Sequence, residues 1–325
     1  MIAVRTMLAG AAAAALVALA ATPPSAAEVT LNAISFLPNN SSFGKPFYEW
    51  VQKVNRDGKG IVQIDLKAAG SMSPFTMGNA IKSGAVDMAN LPPTFYQNLL
   101  PIGDSMKLMT KDPAQFRTNG TWEFMNKLHN EKVNAWLLSM SAFNVQFHLY
   151  LRDKKIDSID LKGFKLRTTP VYRAFFQALG ADLIQTPPAE VYTALERGTV
   201  DGYGWPLWDI KTPGWDKVTK YRVEPGFYSV ANAFIVNLDK WKSLSKEQQD
   251  FLTKEAVAFE KEDLATADAL NKAYAKEQTD AGVQVITLQG KMAEEYVKKA
   301  YDAAWAEAEK LDPVNAPTLK KLITK

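Results

Sequence analysis

No proline or glycine interrupts residues 246–281, and no other feature limits the possible folds of this chain as tightly. The run KEQQDFLTKEAVAFEKEDLATADALNKAYAKEQTDA is rich in Ala, Leu, Lys and Glu, residues that lose little on entering a helix. Ser245 and Gln248 stand at capping-box spacing at its start. A helix over this run is ~54 Å long at ~1.5 Å per residue. A lobe of ~150 residues is only roughly 30 Å across. One helix can therefore run along two lobes. The alternative is two helices with an unmarked kink between them.

Two other stretches repeat one clause. AIKSGAVDMANLPP fills residues 80–93 and ALERGTVDGYGWPL fills 194–207. Ala80 matches Ala194, Gly84 matches Gly198, Val86 matches Val200 and Asp87 matches Asp201. The clause reads as a helix closed by a C-cap glycine, then a short buried strand, then a loop. In open α/β sheets such loops emerge at the carboxyl edge, where ligands bind. The flanking sequence supports an α/β alternation in each half. Residues 28–38 and 61–70 read as strands around a helix at 45–55, and 77–84 reads as helical. In the second half FHLYLRDK and ADLIQTPP read as strands, and PVYRAFFQALG and AEVYTALERG as helices ended by Gly180 and Gly198. VQVITL is a further strand. KMAEEYVKKAYDAAWAEAEKL is a closing helix with Val297, Tyr301, Ala304 and Trp305 on one side. The expectation is a two-lobe α/β fold with a hinge, a cleft and a long helix bridging both lobes.

The first residues read as an export signal. Arg5 is followed by an apolar run from Met7 to Ala21, and small residues at Ser25 and Ala27 place cleavage before Glu28. The alternative, an uncleaved anchor, needs ~20 apolar residues, and this run is short for that. There is no cysteine, which excludes disulfides, a thiol nucleophile and thiolate metal sites. The formal charge is +3, and it falls to near +2 once Arg5 is removed. Lys and Glu alternate along the helices, a solvated surface and not a nucleic-acid footprint.

The stretch DLKGFKLRTTPVYRAFFQALGADLIQTPPAEVYTALERGTVDGYGWP (160–206) resembles the solute-binding component of tripartite ATP-independent periplasmic (TRAP) transporters, the DctP-like family. The series D-L-K-G-x-K-L-R, L-G-A and E-V-Y-x-A-L-x-x-G-x-V-D-G is present in order. The resemblance implies a periplasmic protein that closes two lobes on an organic acid and hands it to small and large membrane permease subunits. It implies lobes at 28–145 plus 231–270 and at 146–230 plus 271–325. Some relatives bind a cation with the acid and some dimerise; with no clear signature of either here, a monomer without cofactor is the expectation. By the same resemblance Arg167 grips the ligand carboxylate. The residue type suits the task, because a guanidinium offers two parallel hydrogen bonds to a carboxylate and is costly to bury unpaired. Some members use a second arginine about 20 residues earlier. Counting back places His148 there, with Arg152 out of phase and Gln146 and Asn144 as polar alternatives.

Members that recognise sugar acids carry an amide in the loop after V-D-G. Here that loop reads Tyr203-Gly204-Trp205-Pro206. Trp205 offers a flat apolar wall, which suits a monocarboxylate with an aromatic or apolar body. Phe43, Phe95, Tyr96, Phe147 and Tyr172 are candidates to extend that wall. Asn40, Ser41, Ser71 and Asn90 are loop residues able to supply hydrogen bonds from the first lobe. C4-dicarboxylates and short 2-oxo acids are the alternative ligands. The binding protein of an ATP-driven importer is the alternative class. An enzyme finds no support: His129 and His148 lack metal-ligand spacing, and neither G-x-S-x-G nor a P-loop occurs.

Overall fold

The computed structural model describes residues 27–68 and 70–325. Residues 1–26 of the expected export signal lie outside the described residues. The strands are β1 (Val29–Ser35), β2 (Val62–Leu66), β3 (Met88–Asn90), β4 (Ala135–Ser141), β5 (Gln146–Leu151), β6 (Lys165–Thr168), β7 (Asp182–Gln185), β8 (Gly202–Pro206), β9 (Tyr221–Glu224), β10 (Phe227–Ser229), β11 (Asn232–Asn237) and β12 (Gln284–Thr287). They form two sheets. The first has the order β2-β1-β3-β11-β4. The second has the order β12-β9-β5-β8-β6-β7, with β10 beside β5.

Each sheet is mixed for the same reason. Parallel strands come from helical crossovers, and in each sheet the strand that follows a crossing between the sheets, β5 or β11, runs antiparallel to its neighbours. In the first sheet β1 runs parallel to β2 and β3, while β11 lies antiparallel to β3 and β4. In the second, β6 is parallel to β7 and β8, while β5 is antiparallel to β8 and β9. The chain therefore crosses between sheets at 141–146 and returns at 229–232. At the first crossing Ala142 adopts φ +66°, and its N–H donates to Asp263 Oδ2 at 2.7 Å.

The repeated clause forms the same unit in both sheets. Gly84 (φ +77°) and Gly198 (φ +66°) end their helices left-handed. Val86 N–H donates to Ala80 O, and Val200 N–H to Ala194 O. Asp87 Oδ2 accepts Asn32 N–H at 2.9 Å beside β1, and Asp201 Oδ2 accepts Lys165 N–H at 2.8 Å beside β6. Each aspartate thus accepts a backbone N–H of the neighbouring parallel strand immediately before its own strand begins.

The long stretch is one helix, Lys246–Asp280, opened by a complete Ser245/Gln248 capping box. Its side chains tie it to both sheets in turn. Gln248 Nε2 donates to Ile61 O, Glu260 pairs with Arg117 and accepts Met140 N–H, and Asn271 Nδ2 donates to Asn144 O. Near its end Gln278 Nε2 reaches Leu207 O and the Tyr150 hydroxyl. The closing helix Gly290–Leu311 buries Tyr296, Ala300, Ala304, Trp305 and Ala308. Among the described residues no helix is long and apolar enough to cross a membrane.

Candidate functional site

The two sheets face each other across a cleft that is shut. Ser42 N–H donates to Asp209 Oδ2 at 2.8 Å, Lys107 Nζ to Val171 O at 2.9 Å, and Arg173 Nη2 to Gln97 Oε1 at 3.2 Å. Phe43 stacks on Trp208 at 5.5 Å. Inside lies a cavity of about 50 Å³ walled by Phe36, Phe43, Phe95, Phe147, Tyr172 and Trp205, with Thr94, Asp104, Lys107, Thr169 and Asn232 as its polar lining. A second cavity of about 360 Å³ adjoins it, sharing Phe36 and Trp205 and reaching Asn40, Ser41, Asp209 and Trp215.

Arg167 sits on β6, whose last residues lead into the helix Pro170–Ala178. It is fully buried. Its Nε and Nη2 donate to Thr186 O at 3.1 and 2.7 Å, and Nη1 has no partner. Burial pulls the guanidinium down to about 10, and the nearby Tyr172 and Tyr203, with the Glu190 carboxylate at longer range, push the other way. The group therefore keeps its charge at neutral pH, with no protein carboxylate in contact. Arg167 itself lines neither cavity, whereas Thr169 and Tyr172, just beyond it in the chain, line the smaller one.

The aromatic residues divide into wall and support. Trp205 lies at the end of β8, packs edge-on against Trp215 at 4.6 Å, and lines both cavities. Its indole N–H is spent on Trp208 O at 3.1 Å, so it offers a ligand only its ring. Tyr203 is support: it stacks on Tyr150 at 5.1 Å and bonds Thr219 Oγ1 through its hydroxyl at 2.9 Å. Between them Gly204 lets the Tyr172 ring lie directly on the strand, since a Cβ there would stand 2.7 Å from ring atoms.

His148 pairs with Trp205 in register but lines neither cavity. Burial lowers its pKa, against the opposing pull of Glu224 and a hydrogen bond to Val223 O. It is therefore neutral at pH 7. Gln146 and Ser71 are exposed. Asn40 and Ser41 line the larger cavity, and Phe43 and Phe95 the smaller. Asn90 is committed inside the first lobe: it donates to Ser35 Oγ and Phe43 O and accepts from Asn232.

Four lining residues had no sequence signal, namely Thr94, Asp104, Lys107 and Asn232. Asp104 and Lys107 form a buried ion pair from one short 3-10 segment, Pro101–Leu108. Their i,i+3 spacing reads as an ordinary surface pair until packing buries it. Among the described residues no group of three or more His, Asp or Glu side chains is placed to hold a metal ion.

Comparison with known proteins gives a consistent picture. The model of the DctP family, bacterial extracellular solute-binding protein family 7, matches residues 34–311. A monocarboxylate 2-oxoacid-binding periplasmic protein of Nostoc sp. is 26% identical over 219 residues, 63% of this chain and 58% of its own length. The chain spans 44% to 58% of the first three curated relatives it matches. A TRAP periplasmic solute-binding protein from Desulfovibrio salexigens, solved with orotic acid, superposes with a TM-score of 0.80 at 20% identity, covering 90% of this chain and 97% of that one. A TRAP solute-binding protein from Bordetella bronchiseptica, solved with calcium and picolinate, gives 0.78 at 22% identity and covers 92% of each chain. At these identities the two structures speak for the fold.

Proposed function

The chain belongs to bacterial extracellular solute-binding protein family 7, the solute-binding proteins of TRAP transporters, and on that premise we propose that it captures a monocarboxylate with an aromatic or apolar body in the periplasm and delivers it to the small and large permease subunits of such a transporter. The observation that carries the reading is Arg167: a buried, charged guanidinium with a free Nη1, itself in neither cavity lining but two residues before Thr169, which lines the aromatic one. A carboxylate supplies the missing acceptor and the missing charge together. Burying a ring against Trp205 and Tyr172 adds roughly 2 kcal/mol.

Charge counting favours one carboxylate over two. His148 is neutral, and Lys107 is neutralised by Asp104. A second ligand carboxylate would be buried without a counter-ion, at a cost of several kcal/mol. The protein acts in this reading as a monomer without cofactor, and binds without turnover. A second reading, a short 2-oxo acid, is favoured by the small volume of the inner cavity, about 50 Å³ in the closed form, and by the ligand class named for the Nostoc relative.

A thermal-shift screen of aromatic monocarboxylates, short 2-oxo acids and C4-dicarboxylates on the mature chain tests both readings. A ligand at one hundred times its dissociation constant stabilises by ~2.7 kcal/mol. The first reading expects the largest shifts from aromatic monocarboxylates, and the second from the 2-oxo acids. Larger shifts from dicarboxylates would contradict both.

A further inference from the structure

The part of the cavity wall that comes from the first sheet and its loops contains polar atoms that the fold leaves unpaired. Asn90 Nδ2 donates to Ser35 Oγ and Phe43 O, so Asn90 Oδ1 is an acceptor, and Asn232 Nδ2 donates to it at 2.7 Å. This network orients the Asn232 amide. Its Oδ1 faces no donor, and it belongs to a cavity residue that is 4% exposed. Thr94 Oγ1 is in the same condition on a residue that is 7% exposed and lines the same cavity. An unpaired buried polar atom costs ~1–3 kcal/mol. Two of them in one small cavity mark where a ligand group completes the bonding.

The ion pair settles what kind of group that is. Lys107 donates to Asp104 and to Val171 O, and its ammonium lies 5.1 Å from the Tyr228 ring centre. An ammonium has three donors; two of these are spent on protein oxygens, the Asp104 partner neutralises the charge, and the Tyr228 ring lies beside the group. The other polar groups of these lining residues are the unpaired acceptor Asn232 Oδ1, the Asp104 carboxylate, and the unpaired Thr94 hydroxyl, which can play either part. An anion placed there meets like charge, whereas an N–H or O–H meets partners.

We propose that this wall is a specificity subsite for a hydrogen-bond donor, so that the ligand is a monocarboxylate bearing an O–H or N–H on the end away from its carboxylate, received by Asn232 Oδ1 and Thr94 Oγ1. The proposal rests on the reading of Arg167 as the carboxylate anchor. It narrows the substrate class to hydroxylated or N–H-bearing acids, aromatic or short.

Calorimetry on matched pairs tests it: 4-hydroxycinnamate against cinnamate, and 3-hydroxybutanoate against butanoate. In at least one pair the donor-bearing acid binds about tenfold tighter or better, because its partner leaves the buried acceptors unpaired. Thr94→Val, which removes an unpaired hydroxyl without changing shape, reduces that ratio severalfold. It leaves the ligand-free melting temperature unchanged or higher, the opposite of what a structural role would give. Equal affinities within both pairs, preference for the unsubstituted acids, a ratio untouched by Thr94→Val, or no binding by any of the four acids overturns the proposal. Arg167→Lys reports separately on the anchor: it weakens both members of a pair and preserves their ratio. If it weakens neither, the anchor reading fails while the ratio still judges the subsite.

Discussion

At the scale of single residues, position in the sheet decides what each side chain can do. Asp87 and Asp201 have the same sequence context and the same task, accepting a backbone N–H from the neighbouring parallel strand. Arg167 is different because its β6 site leaves one donor group free in a buried place. Gly204 is needed for the close approach of Tyr172. Gly204→Ala is expected to push that ring into the cavity, costing about 1–3 kcal/mol of stability as overpacking does and weakening ligand binding as well. Melting and titration of the variant check this, and a variant with unchanged affinity would show that the Tyr172 position is not set by the glycine. That Arg167 stands without a protein acid and that Trp205 forms part of a cavity wall were legible in the sequence, because both lie within one continuous motif. Asn232 and Thr94 were not, because what distinguishes them is an absent partner, and partners are decided by packing between segments 142 residues apart, as in the Asn232–Asn90 bond.

At the scale of elements, local signals were readable wherever the element is defined by its own residues. The Pro- and Gly-free run is one helix because its capping box is intact and nothing within it breaks the hydrogen-bond ladder. Ser245→Ala is expected to cost about 1 kcal/mol, measured by urea or thermal unfolding. A loss near zero would mean that tertiary contacts alone hold that helix end. The two Gly-Val-Asp clauses were readable for the same local reason. The partner of each sheet's antiparallel strand was not. β11 pairs with β3 and β4 from much earlier in the chain, β5 pairs with β8 and β9 beyond intervening elements, and the 3-10 segment that carries Asp104 and Lys107 has too few residues to show a period.

At the scale of the molecule, two sheets linked by crossings at 141–146 and 229–232, and spanned by one helix, carry a buried Arg167 with an unpaired Nη1 on the second sheet and unpaired polar atoms of the cavity residues Thr94 and Asn232 on the side of the first. Closure brings the two sides together, as the Ser42–Asp209 and Lys107–Val171 bonds across the cleft illustrate. Such hinge closure around a ligand is a known repertoire of two-lobe proteins. The central claim is that the free guanidinium nitrogen of Arg167 holds the ligand's carboxylate. The most direct measurement is calorimetric titration of the wild type and of Arg167→Lys with the tightest-binding acid of the screen and with its uncharged amide. The account predicts that the wild type binds the amide at least ~30-fold more weakly than the acid, that Arg167→Lys weakens the acid by a similar factor, and that the variant discriminates little between the two. An amide bound as tightly as the acid, or an acid bound equally well by Arg167→Lys, would contradict it.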